Sequence, residues 1–166
     1  MSHEVSLVEF EGPLGELVQQ CKSNRTRFDE FKLWLKKVAT GNFKRDMRKE
    51  GWTLLENIPR RISSIIDAIP FLKNESTVNG DVMAMRAVEL DANYGQEDAE
   101  WLLDNQDKIP AELRKFYLVF PATNWRDLDG FRYVPFLFWG YGRWFLSFYW
   151  LDDDFGSNVR LVRPRK

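Results

Sequence analysis

Apolar residues recur at helical spacing through the first two-thirds of the chain, with prolines and glycines between the apolar segments. Repeats three and four residues apart are typical of amphipathic helices, and Pro or Gly at a segment end is a common helix boundary. The pattern predicts a loop at Asn74–Asp81. It predicts helices over about 13–22, 26–40, 43–55, 59–70, 82–93, 96–107 and 110–121.

The pattern changes after Trp125. Phe131–Trp139 and Arg143–Leu151 alternate with period two on either side of Gly140–Gly142, and Asn158–Arg163 can form a third strand. Helices followed by strands indicate an α+β fold, with a helical N-terminal two-thirds packed on a C-terminal three-stranded antiparallel β-meander. We therefore predict a single domain over 1–166, helical over about 13–121, with the meander over about 125–164.

A three-residue loop at 140–142 would place Trp139 opposite Arg143, and a slip by one residue would change every pair. This register predicts a core face built of Arg132, Val134, Phe136, Phe138, Trp144, Leu146, Phe148 and Trp150. The opposite face carries Phe131, Tyr133, Pro135, Leu137 and Trp139 against Leu151, Tyr149, Ser147, Phe145 and Arg143. Pro135 lacks an N–H, so its strand should be an edge strand on that side or contain a bulge.

Twelve aromatic residues lie between Phe131 and Phe155, about half of those in the chain. Aromatic side chains must enter a core or form a binding surface. Either the helices cover the second face, or it is left as a docking surface with Arg143 stacked on Trp139. Tyr141, between two glycines at the hairpin tip, is the favoured contact residue. The predicted binding residues are Trp139, Tyr141, Arg143, Tyr133 and Tyr149.

Few residues offer nucleophilic or metal chemistry. Cys21 and His3 are the only cysteine and histidine, and His3 stands two residues from the terminus. A catalytic triad, a Cys–His pair or a zinc site would need one or both of them, so we expect no catalytic residues, no metal and no cofactor. The acidic clusters Asp127–Gly130 and Asp152–Asp154 do not complete a calcium loop and are interpreted as turn residues, although the sequence leaves cation binding open.

Charge is unevenly distributed. Lys22 to Arg61 holds twelve basic residues against five acids, whereas Glu75 to Asp107 holds nine acids and only Arg86. This distribution favours a basic helical layer and an acidic helical layer that face and attract each other. It also leaves open a nucleic-acid-binding surface on 22–61. The longest apolar run is far shorter than a membrane span, and the N-terminus is acidic, so a cytoplasmic location without membrane contact is expected.

The stretch Ile109–Tyr117, followed by aromatic strands, resembles part of the SMI1/KNR4-type immunity proteins over about a third of the chain. Phe120–Trp125 stands where an Asn-Gly pair would be expected in them. The resemblance implies an immunity or adaptor role.

The sequence as a whole predicts a non-enzymatic protein-interaction module, adaptor or immunity-like, whose partner is another protein. A carbohydrate-binding protein or a carboxylate-based sugar hydrolase is the first alternative, because aromatic rings stack on sugars and Asp residues lie near them. Nucleic-acid binding through 22–61 is the second, and the oligomeric state stays open.

Overall fold

The computed structural model describes residues 45–166. The helices expected over 13–22 and 26–40 lie outside the described residues. Within 45–166, sheet dominates and two α-helices are present, so the expected fold, a helical two-thirds packed on a three-stranded meander, is wrong.

The main sheet is a curled half-barrel of seven strands, and a two-stranded sheet lies beside it. The seven strands are β1 Thr53–Glu56, β2 Ile66–Ile69, β4 Tyr117–Val119, β5 Asn124–Arg126, β6 Arg132–Gly140, β7 Arg143–Trp150 and β9 Val159–Pro164; the small sheet pairs β3 Thr77–Asn79 with β8 Asp154–Gly156. The helices are α1 Gly80–Glu89 and α2 Gln96–Asp104, with single 3-10 turns at Met47–Glu50, Gln106–Lys108 and Ala111–Lys115.

The helices predicted over 82–93 and 96–107 are confirmed as α1 and α2, each shorter than expected. Asn79 begins α1 by accepting a hydrogen bond from the N–H of Val82. The side chain of Asp98 accepts a hydrogen bond from the N–H of Gly95, the residue before α2. This N–H at the start of the helix therefore has an acceptor.

The helices predicted over 43–55, 59–70 and 110–121 are wrong where the structure describes them. Each of these segments contains a strand: β1, β2 and β4, respectively. Ile62 and Ile66 are buried as the spacing suggested, but β-branched isoleucines also suit an extended chain that pairs in a sheet. A short apolar run does not distinguish a buried strand from a helix.

The expected meander is also wrong in its third strand. β9 does not pair with β7; it lies between β2, antiparallel, and β4, parallel. β6 and β7 do form the predicted hairpin, and β6 continues the sheet through β4 and β5 on its other edge.

The hairpin register differs by one residue from the expected one. Gly140 pairs with Arg143 and Trp139 with Trp144, so the loop is the two-residue turn Tyr141–Gly142. Both turn residues have positive φ, 48° and 80°, as a type I′ turn requires. This shift by one residue moves every β7 side chain to the opposite face relative to β6. Each predicted face therefore combines residues that lie on different faces of the sheet, and both predicted faces are wrong.

Two faces follow from the observed pairs. The α2 face carries Tyr133, Pro135, Leu137 and Trp139 with Trp144, Leu146, Phe148 and Trp150. The α1 face carries Val134, Phe136, Phe138 and Gly140 with Arg143, Phe145, Ser147 and Tyr149.

Pro135 lies inside the sheet rather than on an edge strand. The neighbours of β6 change beside it: β5 pairs with residues 132 and 133, and β4 with residues 136 and 137. The missing N–H therefore falls in the gap between two partner strands, where no ladder bond is required. The carbonyl of Pro135 is still used, because it accepts the N–H of Phe120.

Each sheet face has its own core. On one face Leu137 and Trp144 pack with Ala99 and Leu102 of α2. On the other, Val134 belongs to a cluster with Met83 and Ala87 of α1 and with β8 and β9 residues. Covering a sheet on both sides removes the simple in-and-out alternation of polarity from its strands.

An ion pair anchors the loop before β3 to α1. Arg86, which is buried, donates to both carboxylate oxygens of Glu75 and to the carbonyl of Phe71. The guanidinium of Arg86, followed by the backbone N–H of Lys73, lowers the pKa of Glu75 from its usual 4.5 to about 2.

This pair should make stability depend on pH in the acid range. Because the pKa of Glu75 is lowered on folding, the stabilisation is complete above about pH 4.5 and is lost as the pH falls toward 2. We expect Glu75→Gln to lower the thermal midpoint at pH 7, and the gap from wild type to close between pH 4.5 and 2. Glu112→Gln is the control, since Glu112 makes a surface pair with Arg165 at 3.8 Å, away from Arg86. A constant gap down to pH 2 would contradict this role.

Candidate binding surface

The hairpin tip presents a tyrosine to solvent. Tyr141 is fully exposed and holds a left-handed backbone conformation, φ 48°, which costs an ordinary side chain about 1 kcal/mol or more. Asn-Gly or Gly-Gly would suit the same turn better. Forming the turn therefore does not explain the tyrosine.

Behind the tip, aromatic side chains follow one another along the α1 face. We call this set the aromatic row: Tyr141, Phe145, Phe138, Phe136, Tyr149 and Tyr117. Neighbouring ring centroids in the row are 5.5 to 6.5 Å apart. Apart from the two exposed ends, Tyr141 and Tyr117, its members are half-buried. The guanidinium of Arg143 lies 4.6 Å from the ring centroid of Phe145 and adds a cation to the tip end.

The row ends in a pocket of about 250 Å³. Its aromatic walls are Tyr117, Phe136, Tyr149 and Phe155, and its other lining residues in the described part of the chain are Val119, Asp154, Asn158 and Val159. Phe155 is buried and packs 5.1 Å from Tyr149 between ring centroids, so it forms a fixed inner wall. We call this cavity the row pocket.

The rim of the row pocket is acidic. Asp154 lines it, and Asp153 accepts a hydrogen bond from the hydroxyl of Tyr149 at 3.3 Å. Burial first, and then the charge of Asp153, raise the pKa of Tyr149. Within residues 45–166 no hydrogen bond or ion pair reaches the carboxylate of Asp154, which is therefore available to a ligand.

The predicted binding residues are divided between the two faces and the tip. Tyr141, Arg143 and Tyr149 lie at the tip and on the α1 face. Tyr133 and Trp139 lie on the α2 face, where Tyr133 packs 4.6 Å from Trp52 between ring centroids. These five residues therefore do not form one surface, although three of them belong to or border the aromatic row.

The expected stacking of Arg143 on Trp139 does not occur, because the register slip moves Arg143 to the α1 face. Arg114 lies over Trp139 instead, with its guanidinium carbon 3.9 Å from the ring centroid.

Of the four aromatic walls of the row pocket, the predicted binding residues include Tyr149 alone. Tyr117 falls in a predicted helix, Phe136 falls in the predicted core face, and Phe155 lies beyond the two predicted strands of the hairpin. The apolar run from Tyr117 to Phe120 was the available signal, since it also fits an interior strand.

The two acidic clusters take part in turns. Asp127 accepts the N–H groups of Asp129 and Phe131 and closes the turn before β6. Asp152 pairs with Arg132, which also pairs with Asp81 at the start of α1. Among the described residues, no group of three potential metal ligands is present.

Three of the five basic residues in 45–61 pack on aromatic rings. Arg45 lies 5.4 Å from the ring centroid of Phe148 and donates to the carbonyl of Leu146. Arg60 lies over Trp101 and Arg61 over Tyr94. The remainder of the predicted basic surface, residues 22–44, lies outside the described residues.

A second, more open concavity of about 600 Å³ lies between β1 and α1. Its exposed apolar lining is Leu55, Met85 and Val88, and Glu56 is the one charged residue among the described ones that line it. Unlike the row pocket, it has no aromatic ring among its described lining residues. No helix in residues 45–166 is long and apolar enough to cross a membrane.

No family model, curated protein or solved structure matches this chain. The resemblance of Ile109–Tyr117 to immunity proteins stays a prediction, and that stretch forms a 3-10 turn and the start of β4 rather than the expected helix.

Proposed function

We propose that this chain is a protein-binding module and that the aromatic row is its contact surface. The observation that carries the proposal is the exposed Tyr141, held in a left-handed conformation at the end of a continuous line of rings. A residue type that is costly in this conformation, and that the turn itself does not require, is a reason to look for a function outside folding. Tyrosine, phenylalanine and arginine are also the residue types enriched at protein interfaces.

The charges along the row indicate what the partner presents. Arg143 is at the tip end, whereas Asp154 and Asp153 are at the pocket end. A complementary partner would lay an apolar strip on the half-buried phenylalanines and place a basic group at the pocket end. Such pairing sets the orientation of a complex more than its affinity.

A sugar hydrolase has less support. That reaction needs a pair of carboxylates flanking the bond that is cleaved. Of the carboxylates in the described part of the chain, only Asp154 lines the row pocket, and Asp153 is already bonded to Tyr149.

Replacing Tyr141 should separate binding from stability. Tyr141→Asn removes the ring and keeps a residue that tolerates the left-handed conformation, so we expect an equal or slightly higher thermal midpoint. If the ring is a contact, affinity for the partner should fall about tenfold or more. The partner would be isolated by quantitative affinity capture on the wild-type chain, and its affinity for each purified variant would be measured by calorimetry.

Phe131→Ser is the matched control, because Phe131 is an exposed aromatic residue that packs on Trp150, away from the row. It should leave partner affinity unchanged. Equal losses in Tyr141→Asn and Phe131→Ser, or no loss in either, would contradict the proposal. If no protein is captured and a glycan binds in a way that depends on Tyr141, the function is carbohydrate binding instead of protein binding.

A further inference from the structure

We propose that the row pocket binds the cationic group of a basic side chain, arginine or lysine, that the protein partner inserts between its rings. The inference rests on the proposed function, because it names the chemistry of the partner at one end of the aromatic row. Three features of the pocket carry it: its walls, its charge and its size.

The walls are faces and edges of aromatic rings. Tyr117, Phe136 and Tyr149 meet nearly edge to face, with interplanar angles of 73° and 86° about Phe136. Rings set at right angles to one another enclose a corner instead of a flat platform. A cation in such a corner lies within about 6 Å of more than one ring and is attracted by the negative ring faces.

The charge at the rim has the matching sign. Asp154 is one of the residues that line the pocket, and its carboxylate has no hydrogen-bond or ion-pair partner in residues 45–166. The charges of Asp153 and Asp154 both act on Tyr149, a wall of the pocket. An anionic ligand would be repelled here, and a neutral sugar would leave the carboxylate without a counter-charge. An ammonium or guanidinium group satisfies both the rings and the carboxylate.

No Lys or Arg of residues 45–166 lines the row pocket. Arg160 pairs with Leu118 across β9 and β4 and lies 4.3 Å from the ring centroid of Phe116, outside the pocket lining. Arg132 is held by Asp81 and Asp152. In the described part of the chain, therefore, the protein does not fill the pocket with a cation of its own.

The volume limits the size of the ligand. About 250 Å³ is below the roughly 300 to 1,000 Å³ of pockets that enclose a whole drug-sized molecule. It suits the end of one long side chain. Continuity with the aromatic row then allows the rest of the partner to lie along the half-buried rings toward Tyr141.

The test uses capped tripeptides and the full chain labelled with ¹⁵N. Acetyl-Gly-Arg-Gly-amide and acetyl-Gly-Lys-Gly-amide should shift the backbone resonances of 117–119, 149 and 154–159, with dissociation constants on the order of 1–10 mM for one isolated side chain. The uncharged counterparts, with citrulline or acetyl-lysine at the centre, should bind about tenfold more weakly or not at all. Equal binding by charged and uncharged peptides would overturn the inference.

Variants locate the site. Asp154→Asn and Phe136→Leu should each weaken peptide binding about five- to tenfold. Asp129→Asn makes the same charge change in the turn before β6 and should have no effect. A dispersed spectrum shows that each variant is folded. No weakening in folded Asp154→Asn and Phe136→Leu, or an equal weakening in Asp129→Asn, would also overturn the inference.

The inference and the proposed function can fail separately. Tyr141→Asn leaves the pocket intact, so peptide binding should be unchanged while partner affinity falls. Loss of partner affinity without any peptide binding would overturn the pocket inference and leave the binding module supported. Peptide binding with an unchanged partner affinity in Tyr141→Asn would overturn the proposed contact surface.

Discussion

Trp144→Ala should reduce the free energy of unfolding by about 3–5 kcal/mol, as expected for truncating a large buried aromatic side chain. Trp144 is 3% exposed and packs edge to face against Trp139, with centroids 5.7 Å apart, inside the cluster that α2 covers. Truncation would leave a cavity between β7 and α2 that neighbouring residues can fill only in part. Urea unfolding monitored by circular dichroism measures the loss as a lower midpoint at an unchanged slope.

Trp150→Ala is the matched control. Trp150 lies on the same face of the same strand, yet it is 42% exposed and rests on Phe131 near the end of the hairpin. Its truncation should cost about 1–2 kcal/mol, less than Trp144→Ala, because nearly half of the side chain already faces solvent and no enclosed cavity is left behind. The sequence pattern predicts both tryptophans on the core face. Equal losses at the two positions would support that assignment against the structure.

The hairpin shows how far alternation predicts a strand. Period two from residue 131 to 151 located β6 and β7 correctly, because strand geometry imposes that period. It could not choose between a two- and a three-residue loop at Gly140–Gly142. Both faces of the hairpin are rich in aromatic residues, so no polar face distinguishes the two registers.

The remaining errors come from apolar runs that suit more than one structure. Isoleucines at 62, 65, 66 and 69 match a helix, but the segment forms β2 beside β9, a partner almost a hundred residues away in the chain. Local spacing carries no information on such a pairing. Helices α1 and α2 were located because loop-type residues at 74–81 and at 94–95 precede them, although β3 and the first two residues of α1 occupy part of the predicted loop.

The candidate site was recovered only in part for the same reason. Tyr141 and Arg143 were found because they stand beside glycines in a recognisable turn. The row pocket combines β4, β6, β7 and the segment around β8, and its inner wall Phe155 comes from the small second sheet. A site assembled from strands that are distant in sequence becomes visible only when their order in the sheets is known.

Replacing Asp98 should be the second strongly destabilising change, because its one buried carboxylate accepts hydrogen bonds from three backbone N–H groups. It is 0% exposed and accepts the N–H groups of Arg61 and Ile62 at 2.6 Å each and that of Gly95 at 3.1 Å. It thereby joins the start of α2 to the extended segment before β2. Each buried N–H left without an acceptor costs about 1–3 kcal/mol, so Asp98→Ala should lower the free energy of unfolding by about 3–5 kcal/mol.

Glu97→Ala provides the comparison at the adjacent position. Glu97 accepts from Asn57 Nδ2 and from the N–H of Arg60, both at 3.2 Å, but these bonds are exposed and water can replace its oxygens. Its loss should cost about 1 kcal/mol or less. Hydrogen exchange should show a matching difference, with the amides of Arg61, Ile62 and Gly95 losing protection in Asp98→Asn while the strands of the hairpin keep theirs. A cost below about 1 kcal/mol for Asp98→Ala would mean that water replaces the carboxylate, and the link between α2 and β2 would then lie in the apolar contacts of Ile62 and Leu102.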